Sequence, residues 1–284
     1  VKRYTLFSGC MISTKLPFIE ALTLSALRKM EVGVMTLKDW SCCPEPTMIR
    51  MLSEKAWYAL AARNISIAEE GKCNILTLCN GCLATLLKAN EDIKGNSGLR
   101  REMNAILGRV GRDFKGSIEV KSFWRFLYED IGPKKLKALV KKPLVDLRVA
   151  IHYGCHMMEE LKLYDNTQDP RALRELVRIL GADVADSPDG LKCCGYPLSP
   201  IDRDLSIHEA AERLRGVYEA QANCLCVLCP ACYLQFRLAL HKSRQPKVKL
   251  AYYPELLGSA MGILPTLHQR SRGDAPHRRP PDAC

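Results

Sequence analysis

Asn74-Ile75-Leu76-Thr77-Leu78-Cys79-Asn80-Gly81-Cys82 and Cys224-Leu225-Cys226-Val227-Leu228-Cys229-Pro230-Ala231-Cys232 follow one plan. In each, a short apolar run of the kind that forms a buried strand stops at a Cys-x-x-Cys pair. The correspondence extends upstream. Cys10 and Cys42–Cys43 precede the first run, and Cys155 and Cys193–Cys194 precede the second. As patterns, the two sets are C-x31-CC-x35-CxxC and C-x37-CC-x34-CxxC, and they take up ten of the 14 cysteines. The chain therefore reads as an internal duplication whose repeated property is a set of sulfur ligands.

The order of elements repeats as well. Tyr4–Phe7 reads as a strand, then come a helix over Phe18–Met30, a strand at Val32–Leu37, the Cys42–Cys43 loop with Pro44 and Pro46, and an amphipathic helix at Ser53–Glu70. The strand Asn74–Leu78 follows, with a helix beginning at Leu83. In the second half, Arg148–Tyr153 is a strand and Asp169-Pro170 an N-cap and N1 pair for a helix to Leu180. Ala182–Ala185 is a strand, Ser206-x-x-Glu209 resembles a capping box inside a helix running to about Ala222, Cys224–Leu228 is a strand, and Val248–Tyr253 a closing strand ahead of the helix Pro254–Met261. Ser117–Val120 is a weak strand between the halves. Such alternation predicts an α/β fold of two pseudo-twofold-related domains with mostly parallel sheets. The expected domains are 1–144 and 145–267, and 268–284, rich in Arg, Pro and Gly, is expected to be a disordered tail. Every motif cysteine would then follow a strand, at the carboxyl edge where loops of parallel sheets converge on ligands.

With 47% apolar and 26% charged residues in 284, the chain is long and apolar enough for two cores. No uncharged run is long enough to span a bilayer, and no leader precedes Tyr4–Phe7, so the expected location is the cytoplasm. A disulfide framework belongs to small secreted domains, and vicinal pairs such as Cys42–Cys43 and Cys193–Cys194 bridge poorly, so metal ligation is the better reading. Zinc sites take four ligands, whereas each copy offers five thiols, which suits an iron–sulfur cluster; two zinc ions with a spare thiol each stay open. The net charge of +11 counts each thiol as neutral and would shrink if the sites carried thiolates. No nucleic-acid-binding pattern accompanies it. Lys134/Lys135/Lys137/Lys141/Lys142 and Lys242/Arg244/Lys247/Lys249 read as solvated or partner-docking faces. Cys224 and Cys226 read as small core residues, Cys73 and Cys284 as non-ligands, and Trp57, Leu60, Ala61, Asn64 and Ile65 as a core stripe, like Phe123, Phe126 and Leu127.

The motif pair resembles the duplicated cysteine-rich (CCG) domain of the B subunit of heterodisulfide reductase. Local strings agree: Phe7-Ser8-Gly9-Cys10, Ser41-Cys42-Cys43-Pro44, Ala61-Ala62-Arg63-Asn64, Val149 through His156, and Cys229-Pro230-Ala231-Cys232 with Gln235-Phe236. The resemblance implies two noncubane [4Fe-4S] clusters, one on Cys10, Cys42, Cys43, Cys79 and Cys82, the other on Cys155, Cys193, Cys194, Cys229 and Cys232. Between them the coenzyme M–coenzyme B heterodisulfide would be reduced to two thiols, each sulfur taken by a cluster iron. His156, next to Cys155, is a candidate proton or hydrogen-bond donor to a departing sulfur, or a structural histidine. His152 reads as buried scaffold.

No flavin or nicotinamide fingerprint and no ferredoxin motif occurs, so electrons must come from elsewhere. The resemblance implies two further members of a heterodisulfide reductase complex as partners, the ferredoxin-like C subunit and the flavin-bearing A subunit. Cys43 is followed by Pro44 where the motif's name would suggest glycine, which resembles the B-subunit pattern; the departure is that Cys194-Gly195 leads into Tyr196-Pro197-Leu198-Ser199-Pro200, which bears on substrate identity. The rival readings are a cysteine-rich electron-transfer subunit of a lactate, glycolate or fumarate enzyme, and a non-catalytic scaffold.

Overall fold

Two sheets of the same topology form the molecule. The structure, a computed structural model, describes residues 2–187, 189–242 and 248–264. The expected tail 268–284, with Cys284, and Arg244 and Lys247 of the second basic cluster lie outside the described residues.

The first sheet has β1 (Tyr4–Phe7), β2 (Val34–Met35), β3 (Asn74–Thr77) and β4 (Val120–Ser122), in the order β2-β1-β3-β4. The second has β5 (Arg148–His152), β6 (Asp183–Ala185), β7 (Cys224–Val227) and β8 (Lys249–Tyr252), in the order β6-β5-β7-β8. All pairings are parallel, with Phe7 opposite Thr77 in one sheet and His152 opposite Val227 in the other. The central strands are buried along nearly their whole length, as continuous apolar runs covered on both faces by helices must be. Cys224 and Cys226 are fully buried core residues, as expected.

The halves exchange helices. Tyr253–Ala260, after the last strand of the second sheet, packs on Pro17–Lys29, after the first strand of the first sheet. Its counterpart Phe123–Phe126 packs on Ala172–Ile179. The approach at the first of these contacts is close: a Cβ on Gly258 would sit 2.6 Å from Leu22 Cδ1, so a larger residue there would displace the Leu22 side chain. The amides of Lys141 and Lys142 also donate to Ala260 O, at 2.8 and 2.9 Å. The two halves thus share one continuous core and are related by a pseudo-twofold axis.

Several expected boundaries move, each for a visible reason. The helix expected from Leu83 begins at Asn80 and runs to Gly95, because Cys79 takes the N-cap position and its carbonyl accepts from Leu83 N at 2.8 Å. Asp169-Pro170 does not start the next helix of the second half. That helix begins at Ala172, where the Asp165 carboxylate accepts from the Arg171 and Ala172 amides. The helix Arg203–Glu219 is capped by Asp202, which accepts from Asp204 N and Leu205 N, and the expected Ser206-x-x-Glu209 box lies inside it. Leu60, placed in the core stripe of the helix Glu54–Glu70, is 40% exposed, while Trp57, Ala61, Asn64 and Ile65 are buried. Among the described residues no single helix is long and apolar enough to cross a membrane.

Candidate functional site

Each sheet turns into its site through a glycine held at positive φ. Gly9 (φ 73°) follows β1 and Gly154 (φ 75°) follows β5, each immediately before a motif cysteine. A Cβ on Gly9 would stand 2.6 Å from Cys82 Sγ, and one on Gly154 would stand 3.5 Å from Cys232 Sγ. The Gly-Cys step therefore does two things: it provides a left-handed turn, and it lets backbone lie against the CxxC thiol of the same copy. Both CxxC pairs sit at a helix start. Asn80–Gly95 and Pro230–Lys242 begin there, with the positive end of the helix toward the sulfurs.

The vicinal-cysteine loops are held differently in the two copies. In the first, Asn64 reaches out of its helix: its Nδ2 donates to Cys42 O (3.1 Å) and its Oδ1 accepts from Ser41 N (3.0 Å). Thr85 Oγ1 donates to Pro44 O at 2.7 Å. In the second copy, Gly195 (φ 83°) turns the chain where a Cβ would stand 2.6 Å from Ser206 O. Ser206 Oγ donates to Gly195 O (2.8 Å), and Gln235 Nε2 donates to Ser206 O (2.7 Å). Proline at position 44 is compatible with the first loop because Thr85 needs only a carbonyl there, whereas the second requires glycine. In the sequence Asn64 reads as part of a core stripe and nothing marks Thr85; the available signal is a polar residue inside a buried helical face.

All ten motif cysteines line one cavity of about 160 Å³ between the two sheet edges. All the described cysteines are free thiols. In each copy the first cysteine and the leading member of the vicinal pair are exposed (Cys10 and Cys42, Cys155 and Cys193), while Cys43, Cys82, Cys194, Cys229 and Cys232 are buried. Met11, Glu45, Pro46, His156, Tyr196 and Pro197 complete the wall, so the departing loop after Cys194 does reach the site.

The thiols sit close enough to share protons. Cys193 is pulled down to about 2 by hydrogen bonds from Cys155 and then Cys194. Cys155 is pushed up in turn, and Cys194 is raised to about 12, first by Cys193. Cys229 is held well below the ordinary thiol range by Cys232 and Cys79, then by the amides of Cys232 and Ala231. Cys79 is driven up, first through its contact with Cys229 in the other copy. Cys43 is likewise lowered by Cys42 and Cys82, both of which are raised. Such mutual hydrogen bonding marks thiol sets spaced for a common electrophile, and soft thiolates favour iron or zinc.

The copies interlock at this floor. Asn80 Nδ2 donates to Tyr153 O at 2.5 Å, and the Tyr252 hydroxyl donates to Leu78 O. His156 is half-buried and leans from the second copy over the first: its Nε2 lies 3.4 Å from Thr47 Oγ1, and a Cβ on Gly81 would lie 3.9 Å from its Nδ1. His152, at the end of β5, is buried, and desolvation lowers it to about 4, so its imidazole is neutral. Cys73 lies away from the site, its thiol 3.2 Å from Gly71 O.

Residues 4–87 and 149–237 each match the cysteine-rich domain family CCG. Over 272 residues the chain is 35% identical to the B subunit of the ferredoxin/F(420)H(2)-dependent CoB-CoM heterodisulfide reductase of Methanosarcina acetivorans, covering 93% of this chain and 90% of that one. The chain belongs to the family of heterodisulfide reductase B subunits. Two CCG domains in tandem account for the doubled cysteine pattern from which the family was expected. The likeness extends to more distant proteins. The membrane anchor subunit of an 8-methylmenaquinol:fumarate reductase from Wolinella succinogenes is 26% identical over 272 residues, covering 92% of this chain and 93% of that one. A crystal structure of a hypothetical protein from Helicobacter pylori shares the fold, with a TM-score of 0.74 at 13% identity. It covers 92% of this chain, which spans about half (49%) of that longer protein.

Proposed function

We propose that this chain is the disulfide-reducing subunit of a heterodisulfide reductase-type complex, with two noncubane [4Fe-4S] clusters held by its ten motif cysteines. One would sit on Cys10, Cys42, Cys43, Cys79 and Cys82, the other on Cys155, Cys193, Cys194, Cys229 and Cys232. The observation that carries this reading is the single cavity lined by all ten free thiols, five from each copy. A scaffold metal would be enclosed by its ligands; here the leading cysteines are exposed and the two sets face one another. When bound, two facing clusters supply one electron each, the two that a disulfide needs, and an iron with affinity for thiolate.

The protein's own part is position, dryness and protons. The glycine turns at Gly9 and Gly154 bring backbone against the CxxC sulfur of their own copy. Asn80 and Tyr252 tie the halves together directly beneath the cavity, so their separation is set by the fold. Pro46, Tyr196 and Pro197 give the mouth an apolar rim. His156, oriented by Thr47, stands over the junction and holds a proton for a departing thiolate. The partners of this reading are the ferredoxin-like C subunit as donor and the flavin-bearing A subunit behind it, in the cytoplasm. The substrate is the coenzyme M–coenzyme B heterodisulfide or a relative.

A second reading, an electron relay to another oxidoreductase, is favoured by the fumarate reductase relative. Reduced viologen and the coenzyme M–coenzyme B disulfide, supplied to protein reconstituted without oxygen, separate the two. Two thiols released per two electrons supports disulfide reduction. Cluster reduction by the viologen without thiol release supports the relay.

A further inference from the structure

The two cysteine sets are matched, but one residue beside them is not. β1 ends at Phe7 and β5 at His152, each two residues before the positive-φ glycine that precedes a motif cysteine. Phe7 is buried and packs edge-on against Trp40, with ring centroids 5.1 Å apart. His152 is equally buried, held edge-on by Phe236 at 4.8 Å. Its Nε2 has no hydrogen-bond partner among the described residues. A buried imidazole nitrogen without a partner is costly, and native sites rarely leave one so.

The nitrogen is aimed at the second cysteine set. The ligand atoms of His152, Cys194 and Cys232 all lie within 4.8 Å of one another. The space a Cβ on Gly154 would fill lies 3.6 Å from His152 Nε2 and 3.5 Å from Cys232 Sγ, so both atoms border the same gap. Replacing Gly154 would close that gap, and here the glycine keeps it open.

We propose that His152 donates an N–H···S hydrogen bond from Nε2 to the sulfur of the second cluster site, at Cys232, Cys194 or a bridging sulfide. The first site, with Phe7 in the same place, lacks this bond. This rests on the cluster reading above. Hydrogen bonds to cluster sulfur stabilise the reduced form, whose sulfurs carry more negative charge, and so raise the potential. His152 is therefore a positioning residue that makes two sequence-matched sites unequal, the second holding its electron more tightly than the first.

The test is a redox titration followed by electron paramagnetic resonance on anaerobically reconstituted full-length protein, wild type against His152→Phe and His152→Gln. The wild-type protein should show two midpoints. In His152→Phe, the higher should fall so that the reduced-to-oxidised ratio at fixed potential drops about tenfold, which is 59 mV for a one-electron couple. In His152→Gln, which keeps an N–H, part of that shift should return. Pulsed spectra of wild-type protein with ¹⁵N-histidine should show a weak nitrogen coupling that His152→Phe removes; the wild-type arm needs no folded variant. Unmoved midpoints in an iron-replete His152→Phe protein, or no nitrogen coupling in the wild type, overturn the hydrogen bond alone. A coupling as strong as a directly bound imidazole gives would replace it with ligation. Wild-type protein that takes up no iron overturns the cluster reading and this inference with it.

Discussion

The thiols of Cys79 and Cys229, equivalent residues of the two copies, meet at the floor of one cavity, where their contact raises Cys79 and lowers Cys229. The two five-thiol sets thus share a floor while their exposed members stand apart at the rim. Loss of a rim ligand should therefore be confined to one site. Cys10→Ala is expected to remove about half of the bound iron, leaving the second site intact. Cys79→Ala should disturb both sites, because Cys229 loses its partner. Iron analysis with electron paramagnetic resonance of the two variants checks the contrast, and equal losses from both would argue against a shared floor.

Gly9→Ala places a Cβ 2.6 Å from Cys82 Sγ at a φ of 73°. Strain of this kind costs about 1–3 kcal/mol, and the thiol must also move. Chemical denaturation should report that loss together with reduced iron occupancy. At Gly33, where a Cβ would meet nothing within 4 Å, alanine should leave both unchanged.

Asn64→Ala removes the bonds that tie Ser41 N and Cys42 O to the helix Glu54–Glu70. These partly exposed groups then lose their protein partner, at a cost of about 0.5–1.5 kcal/mol. The variant should lose iron from the first site before the second, measured by timed release to a chelator.

Two buried groups tilt stability with pH in opposite directions. Burial raises Glu160 from 4.5 to about 7, so its folded form binds more protons and stability falls as pH rises through that window. Burial lowers His152 from 6.5 to about 4, so its folded form binds fewer protons and stability is lost as pH falls through that range. The slopes oppose each other, each worth on the order of 3 kcal/mol across its window, and each is read as a difference from the wild type between about pH 5 and 6.5. Glu160→Gln should then gain stability as pH rises over that range, and His152→Phe should lose it. Urea denaturation at four pH values measures both signs.

The fold was legible because alternation in the chain is strong: β1, β3, β5 and β7 are buried, mostly apolar runs that each end shortly before a motif cysteine, and parallel sheets leave such runs little choice. The convergence of the cysteines followed from their place at carboxyl edges. Capping was less legible, since Asp165 and Asp202 act through local backbone geometry that several nearby Asp, Asn and Ser residues could equally provide. The buried supports Asn64, Ser206 and Gln235 act across long sequence separations, which a pattern in one strand or helix does not carry. The crossing of His156 onto the first copy's loop was hidden for the same reason. The helix exchange that joins the halves was also invisible, because each pair's partners are well separated in the chain.

The central claim is that the ten motif cysteines hold two separate iron–sulfur clusters facing one cavity. Mössbauer-quantified iron and acid-labile sulfide per chain, on protein purified without oxygen, tests it most directly. The account predicts about eight of each, consistent with two four-iron clusters, falling to about half in Cys155→Ala. Zinc without sulfide, or a single four-iron cluster that survives in both Cys10→Ala and Cys155→Ala, would contradict it.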